Sequence, residues 1–256
     1  MFSVIKYIGQ KDIDLLEEVK ILGIDVYCEP FAGSFNTGFR LIDTGYKAKY
    51  ILNDLDEKIY NFWVQLKFKP KRLSMKIFSL LDKMEKINNN AFNSDSELIK
   101  LLETKSESPN AIESAAAEFL IHQTKTLSGF SYNKYRIENS VSEYDFSIDS
   151  EYLYQTQVYN KDYKYIFDKY DSKTTFFFID PPYMNKRTKN YYRYGNQDFN
   201  HNELCKRIKR LKGRWLLTYD YNEKLIEMYK DYNIEIVERP MMGKVYKELY
   251  IRNYKI

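Results

Sequence analysis

The sequence predicts an α/β fold: a mostly parallel sheet wound with helices and interrupted by a helical insertion. Three observations carry that expectation. The first third reads as strand, glycine turn, helix, strand, acid, the layout of one half of a doubly wound sheet. Residues 66–156 then become helical and polar. From Tyr163 the alternation resumes around Phe176-Phe177-Phe178-Ile179, an apolar run short enough for a strand buried on both faces.

Taken in order, residues 13–22 carry Leu15, Leu16, Val19 and Leu22 at helical spacing, and Gly23 ends that helix. Residues 25–31 read as a strand closed by Ala32-Gly33-Ser34. Residues 36–41 begin a helix, 49–52 form a second strand ending at Asn53-Asp54, and 59–68 form an amphipathic helix. Within the insertion, residues 115–120 read as a buried helix leading to a loop at 128–133, and Asn88-Asn89-Asn90 as a loose patch. After Tyr163 come a helix, the strand 176–179, a helix from about residue 202 and the strand 215–219. A helix at 223–232 and terminal strands at 234–237 and 249–252 complete the pattern. No internal repeat is visible.

Composition narrows the function classes. A chain of 256 residues holds one large domain, or one plus an insertion, with room for a true core. It lacks any run of about 18 apolar residues, and Met1-Phe2-Ser3-Val4-Ile5-Lys6 lacks the shape of a signal peptide, so no membrane partner is expected. Cys28 and Cys205 lie far apart with only two histidines to join them, which argues against a metal site and for a reducing, cytoplasmic setting with buried, inert thiols.

The net charge of +4 is distributed unevenly. One basic cluster is Lys67, Lys69, Lys71, Arg72 and Lys76. A second, Lys186, Arg187, Lys189 and Arg193, is interleaved with Tyr191, Tyr192 and Tyr194, a mixture suited to holding phosphates and bases. A third, between residues 206 and 214, reads as a solvated helix face.

The most informative residues are Asp180-Pro181-Pro182-Tyr183. They follow the buried strand directly. The two prolines stop the strand and remove two amide donors, which leaves carbonyl oxygens at the strand end. An acid, bare carbonyls and an aromatic face suit a flat base with an amino group: the acid and a carbonyl accept from the NH2, and the ring stacks on the base.

Glu29-Pro30-Phe31-Ala32-Gly33-Ser34 sits where a strand meets a helix N-terminus, and Asp54 ends the next strand, where an acid takes up ribose hydroxyls. The phosphate cradles are broken. A dinucleotide loop needs G-x-G-x-x-G, yet only Gly33 and Gly38 are present, and Phe39 stands where a P-loop needs lysine. The expected ligand therefore has ribose and adenine but no phosphate, a description that S-adenosylmethionine meets.

Together these segments resemble the Dam-like, alpha-type family of adenine-specific DNA methyltransferases over most of the chain. The matching stretches are Tyr7-Ile8-Gly9-Gln10-Lys11, Glu29-Pro30-Phe31-Ala32-Gly33, Tyr50-Ile51-Leu52-Asn53-Asp54 and Phe178-Ile179-Asp180-Pro181-Pro182-Tyr183. Asp198-Phe199-Asn200-His201 and Gly213-Arg214-Trp215-Leu216-Leu217-Thr218-Tyr219 follow.

The resemblance implies a Rossmann-like, S-adenosylmethionine-dependent methyltransferase core at residues 1–65 and 157–256. An inserted, mostly helical target-recognition domain would occupy 66–156. It implies site-specific methyl transfer to the 6-amino group of a flipped adenine in double-stranded DNA, with Asp180, Pro181, Pro182 and Tyr183 catalytic and no metal. Tyr7, Lys11, Glu29, Phe31, Ala32, Gly33, Asp54, Asp162, Tyr163 and Asp180 would hold the cofactor, Lys11 near its carboxylate and Asp162-Tyr163 flanking its adenine. Lys125, Ser128, Tyr132, Asn133, Lys134 and Arg136, with Lys186, Arg187 and Lys189, would contact DNA. A monomer in the cytoplasm of a bacterium or a phage-infected cell is expected, and a cognate restriction endonuclease, as in restriction-modification, is left open.

The chain departs from the family pattern at three places. Phe35 replaces a second glycine, Leu127-Ser128-Gly129 replaces Phe-Asn-Gly, and Tyr132 stands where an arginine is expected. Methylation of RNA adenine and a catalytically impaired DNA-binding homologue remain the alternatives.

Overall fold

A computed structural model describes residues 11, 13–90, 94–126, 129–132, 137, 146–184, 199–241 and 244–255. Contacts divide the chain into two compact units. One comprises Asp14–Ala32, Thr44–Leu55 and Tyr159–Ile256, the other Met1–Ile13, Gly33–Asp43 and Asp56–Val158.

A seven-stranded sheet runs through the first unit, which holds six of its strands but only Tyr159 of the strand at 156–159. Its strands are β1 (Val26–Glu29), β2 (Lys49–Asn53), β5 (Thr156–Tyr159), β6 (Thr175–Ile179), β7 (Arg214–Asp220), β8 (Asn233–Met241) and β9 (Lys244–Arg252), in the spatial order β5-β2-β1-β6-β7-β9-β8. β1 pairs parallel with β2 and β6, and β6 with β7, while β9 runs antiparallel to both β7 and β8. Every residue of β6 is buried, which explains a strand made of Thr-Phe-Phe-Phe-Ile: a parallel strand covered on both faces has no polar side to alternate with. Phe177, Ile179, Trp215, Leu217, Leu249 and Ile251 share one apolar cluster with helices α8 (Tyr163–Tyr170) and α9 (His201–Ile208). Helices α1 (Leu16–Ile21) and α10 (Glu223–Met228) complete the unit.

The second unit is helical. It comprises α2 (Asn36–Asp43), α3 (Glu57–Phe68), α4 (Pro70–Asn90), α5 (Ser94–Ser106), α6 (Ala111–Thr124) and α7 (Phe146–Tyr154). α3, α4 and α5 pack around α6, whose Ala115, Ala116 and Ala117 are fully buried and let neighbours approach closely, while α2 packs against α7. Phe62 of α3 stacks on Phe119 of α6 at 5.9 Å, and Phe119 meets Phe146 edge-on. α6 is capped by Asn110, whose side chain accepts from the amides of Ile112 and Glu113. Its C-terminus runs into a two-stranded ribbon of β3 (Lys125–Thr126) and β4 (Gly129–Phe130).

Several boundaries differ from the sequence-based expectation. β1 stops at Glu29 because Pro30 cannot donate to the ladder. The Asn88-Asn89-Asn90 patch ends α4 rather than forming a loose break, and α10 stops at Met228 rather than at residue 232. Strand β5 was not expected. Cys28 and Cys205 are buried free thiols, and burial holds the Cys28 thiol well above its ordinary pKa. Among the described residues no helix is long and apolar enough to cross a membrane.

Candidate active site

The order of the sheet reverses direction between β1 and β6, and in open α/β sheets ligands bind beyond the carboxyl ends of the strands at such a switch point. The residues singled out in the sequence gather at those ends. Glu29 is the last residue of β1 and is buried, its carboxylate accepting from the Tyr27 hydroxyl at 2.8 Å. Burial, reinforced by Glu29, holds the Tyr27 hydroxyl well above its ordinary pKa, so it stays a donor.

Asn53, immediately beyond the Glu29–Leu52 pair, ties the neighbouring loops together. Its amide group donates to the carbonyls of Pro30 and Lys161, both at 2.9 Å, and its oxygen accepts from the Lys161 amide at 2.9 Å. It is fully buried. The Ala32 amide donates to the Asn53 carbonyl, also at 2.9 Å. One side chain thus fixes the turn after β1 and the loop before α8. Asn160 adds to this by donating to the carbonyls of Asp54 and Leu55. Asp54, half-buried, is therefore held by its own backbone at the end of β2.

Asp162 caps α8 through the Lys164 amide, at 2.8 Å, and is exposed. Tyr163 is buried and packs against Phe31 at 5.2 Å and Phe199 at 6.0 Å. Phe31 also meets Phe199 edge-on, so the turn after β1, the start of α8 and the approach to α9 share one aromatic cluster. Burial raises the Tyr163 hydroxyl's pKa above its ordinary value.

At the end of β6, Asp180 Oδ1 accepts two hydrogen bonds: 2.6 Å from the Thr218 hydroxyl and 3.0 Å from the Tyr183 hydroxyl. Thr218 lies on β7 and is fully buried, as the register Ile179–Leu217 requires of the next residue along. Pro181 and Tyr183 are buried, Pro182 half-buried. The Tyr183 ring lies 6.0 Å from Tyr219, whose hydroxyl is hydrogen-bonded to His201 Nδ1 at 2.8 Å. Desolvation, with Lys224 nearby, lowers the His201 pKa to about 4, so the ring is neutral at pH 7. Thr218, Tyr219, His201 and Asn53 all lie in the sequence stretches named above, but their partners are 18 to 108 residues away, so the sequence alone assigns them no individual role.

The other expected residues belong to the helical unit or fall outside the described residues. Lys11 is 3% exposed, and its carbonyl accepts from Asn36 Nδ2 at 3.0 Å. Gly33 has φ 47°, and its carbonyl accepts from Trp63 Nε1. Phe35 also has positive φ, 50°, a backbone conformation that a bulky side chain rarely adopts. Its buried ring fills the space over Gly38. Lys125 begins the β3–β4 ribbon, and Tyr132 is half-buried just after it. Tyr7, Ser128, Asn133, Lys134, Arg136, Lys186, Arg187 and Lys189 lie outside the described residues.

A family model described as D12 class N6 adenine-specific DNA methyltransferase matches residues 7–242. No curated protein matches the chain.

Proposed function

The chain belongs to the D12 class of N6 adenine-specific DNA methyltransferases, and from that premise we propose how its residues divide the work. The enzyme methylates adenine in DNA. S-adenosylmethionine is the proposed donor, supplying an electrophilic methyl group on a sulfonium. Glu29, Phe31, Ala32, Gly33 and Asp54, with Tyr7, Lys11, Asp162, Tyr163 and Asp180, are the proposed cofactor contacts. The buried Glu29 acid and the loops pinned by Asn53 support this reading.

The observation that carries the mechanism is the anchored Asp180 carboxylate at the end of a fully buried strand. The adenine amino group is a weak nucleophile because its lone pair is delocalised into the ring. Asp180 and the Pro181 carbonyl accept its two N–H bonds, which favours a pyramidal nitrogen and turns the lone pair toward the methyl group. Asp180 also stabilises the positive charge that grows on nitrogen. Tyr183 stacks on the extruded base and offsets part of the few kcal/mol lost on unstacking. For its ring to do so, its hydroxyl keeps or exchanges the Asp180 hydrogen bond.

Target recognition is assigned to residues 66–156 and catalysis to 1–65 and 157–256. Lys125, Ser128, Tyr132, Asn133, Lys134 and Arg136 make base and phosphate contacts, and Lys186, Arg187 and Lys189 hold the backbone near the flipped base. A cytoplasmic monomer fits a reaction that treats each strand separately. The test is to incubate the protein with labelled S-adenosylmethionine and unmethylated duplex DNA, then map modified bases. N6-methyladenine in one short motif supports the reading; label confined to RNA or absent from DNA contradicts it.

A further inference from the structure

The basic cluster between Lys67 and Lys76 plays no part in the site above, and the structure gives most of it an outward face. Lys67 is used within the fold, donating to the Thr156 carbonyl at 2.7 Å. Lys69, Lys71 and Arg72 are exposed. Lys76 lies 3.6 Å from Glu113, an acid already paired with Lys105 at 3.3 Å and hydrogen-bonded by Ser108. Two cations thus share one carboxylate. α4 carries no acid of its own before Asp82, so its first three turns are basic.

Arg72 and Lys76 of this cluster line a shallow, open groove of about 310 Å³, together with Met75 and Ser79 of α4 and Asn110 and Ile112 at the start of α6. The lining is mixed in a specific way. Met75 is 72% exposed and offers an apolar surface. The Asn110 oxygen already accepts from two backbone amides, so what its side chain can offer a ligand is its NH2 group. Ser79 adds a hydroxyl, and Arg72 and Lys76 add charge. Cations and neutral donors beside an apolar face match a sugar–phosphate strand, whose anionic oxygens and deoxyribose carbons alternate.

α6 also sets the position of the groove. The groove lies at the N-terminus of this 14-residue helix, and the β3–β4 ribbon begins at its C-terminus. At 1.5 Å per residue the two are about 20 Å apart, which on a duplex lying along α6 spans about six base pairs at 3.4 Å each.

We infer that this groove binds the phosphodiester backbone of duplex DNA about six base pairs to one side of the recognised bases, as a sequence-independent extension of the footprint. The inference rests on the DNA-methyltransferase reading and deepens it.

The test compares wild type with Lys71→Ala/Arg72→Ala for binding to duplexes of about 10 and about 24 base pairs, each centred on the mapped motif, over a range of salt. Wild type is expected to bind the longer duplex at least tenfold more tightly. The double variant should lose that preference, and its slope of log K against log salt should fall by about 2. Arg72→Lys alone should keep most of the length dependence. A double variant with wild-type length dependence and salt slope overturns the inference, as does an equal loss on both duplexes. Wild type that binds neither duplex overturns the methyltransferase reading, and this inference with it.

Discussion

The Phe35 ring occupies the space that a Gly38 side chain would need: a Cβ built on Gly38 would lie 2.7 Å from Phe35 Cε1 and closer still to Cζ. Phe35 is fully buried, meets Phe39 edge-on at 5.4 Å, and holds a left-handed backbone at φ 50°. A non-glycine residue there costs about 1–2 kcal/mol. Burial of the phenyl ring outweighs that cost, since deleting such a ring typically costs about 3–5 kcal/mol. The turn after β1 thus keeps the backbone shape of a glycine turn with a phenylalanine in it, and Gly38 is the residue that makes room.

This pairing predicts strong coupling. Phe35→Gly should destabilise the protein by roughly 2–3 kcal/mol, strain relief offsetting part of the lost burial. Gly38→Ala alone should cost about 1–3 kcal/mol through overpacking. In the Phe35→Gly background the same alanine should be neutral or favourable, because the collision is gone and alanine is the better helix former. Urea unfolding of the four proteins measures the coupling; strictly additive effects would show that the ring does not constrain Gly38.

Thr218→Val keeps the shape of the side chain and removes the 2.6 Å donor to Asp180. A hydrogen bond to a charged group contributes about 1.5–3 kcal/mol, so the maximal methylation rate should fall about tenfold or more. The KM for DNA should change little, and Thr218→Ser should restore most of the rate. A valine variant with wild-type turnover would remove Thr218 from the account.

Asn53→Ala deletes three side-chain hydrogen bonds and leaves the Pro30 and Lys161 carbonyls short of their donors. The expected loss of stability is about 2–4 kcal/mol. Affinity for S-adenosylmethionine, read by calorimetry, should weaken even where the variant remains folded, because the turn after β1 and the loop before α8 lose their common tie. Unchanged affinity in a folded variant would mean that these loops hold their positions without it.

His201 gives the protein a pH-sensitive hydrogen bond. Burial, then Lys224, lowers its pKa from 6.5 to about 4. Because the unfolded chain binds the proton more readily, the contribution is fully present above pH 6.5 and is lost as pH falls from 6.5 through 4. His201→Asn should flatten the fall of the melting temperature across that window. A variant as acid-sensitive as wild type between those values would place the titrating group elsewhere.

The elements that frame the site were legible wherever local sequence decides them. β6 announces itself as an apolar run stopped by two prolines, and β2 ends at Asn53, one residue beyond the expected strand. Strand β5 is not legible in the sequence because Thr156-Gln157-Val158-Tyr159 is only four residues long and follows a helix without a turn signal. Asn53 was invisible as a tie because its partner Lys161 is 108 residues away, a distance only the fold can close. The shape of the Phe35 turn was likewise hidden, since a positive φ at phenylalanine follows from where its ring is buried and not from its neighbours in sequence.

The central claim is that Asp180, anchored by Thr218, orients the adenine amino group. Single-turnover methyl transfer by Asp180→Ala, with cofactor and DNA both saturating, tests it most directly. The account predicts a loss on the order of 10²–10³-fold in the transfer rate, with the cofactor still binding measurably. A variant that transfers methyl groups at the wild-type rate would contradict it.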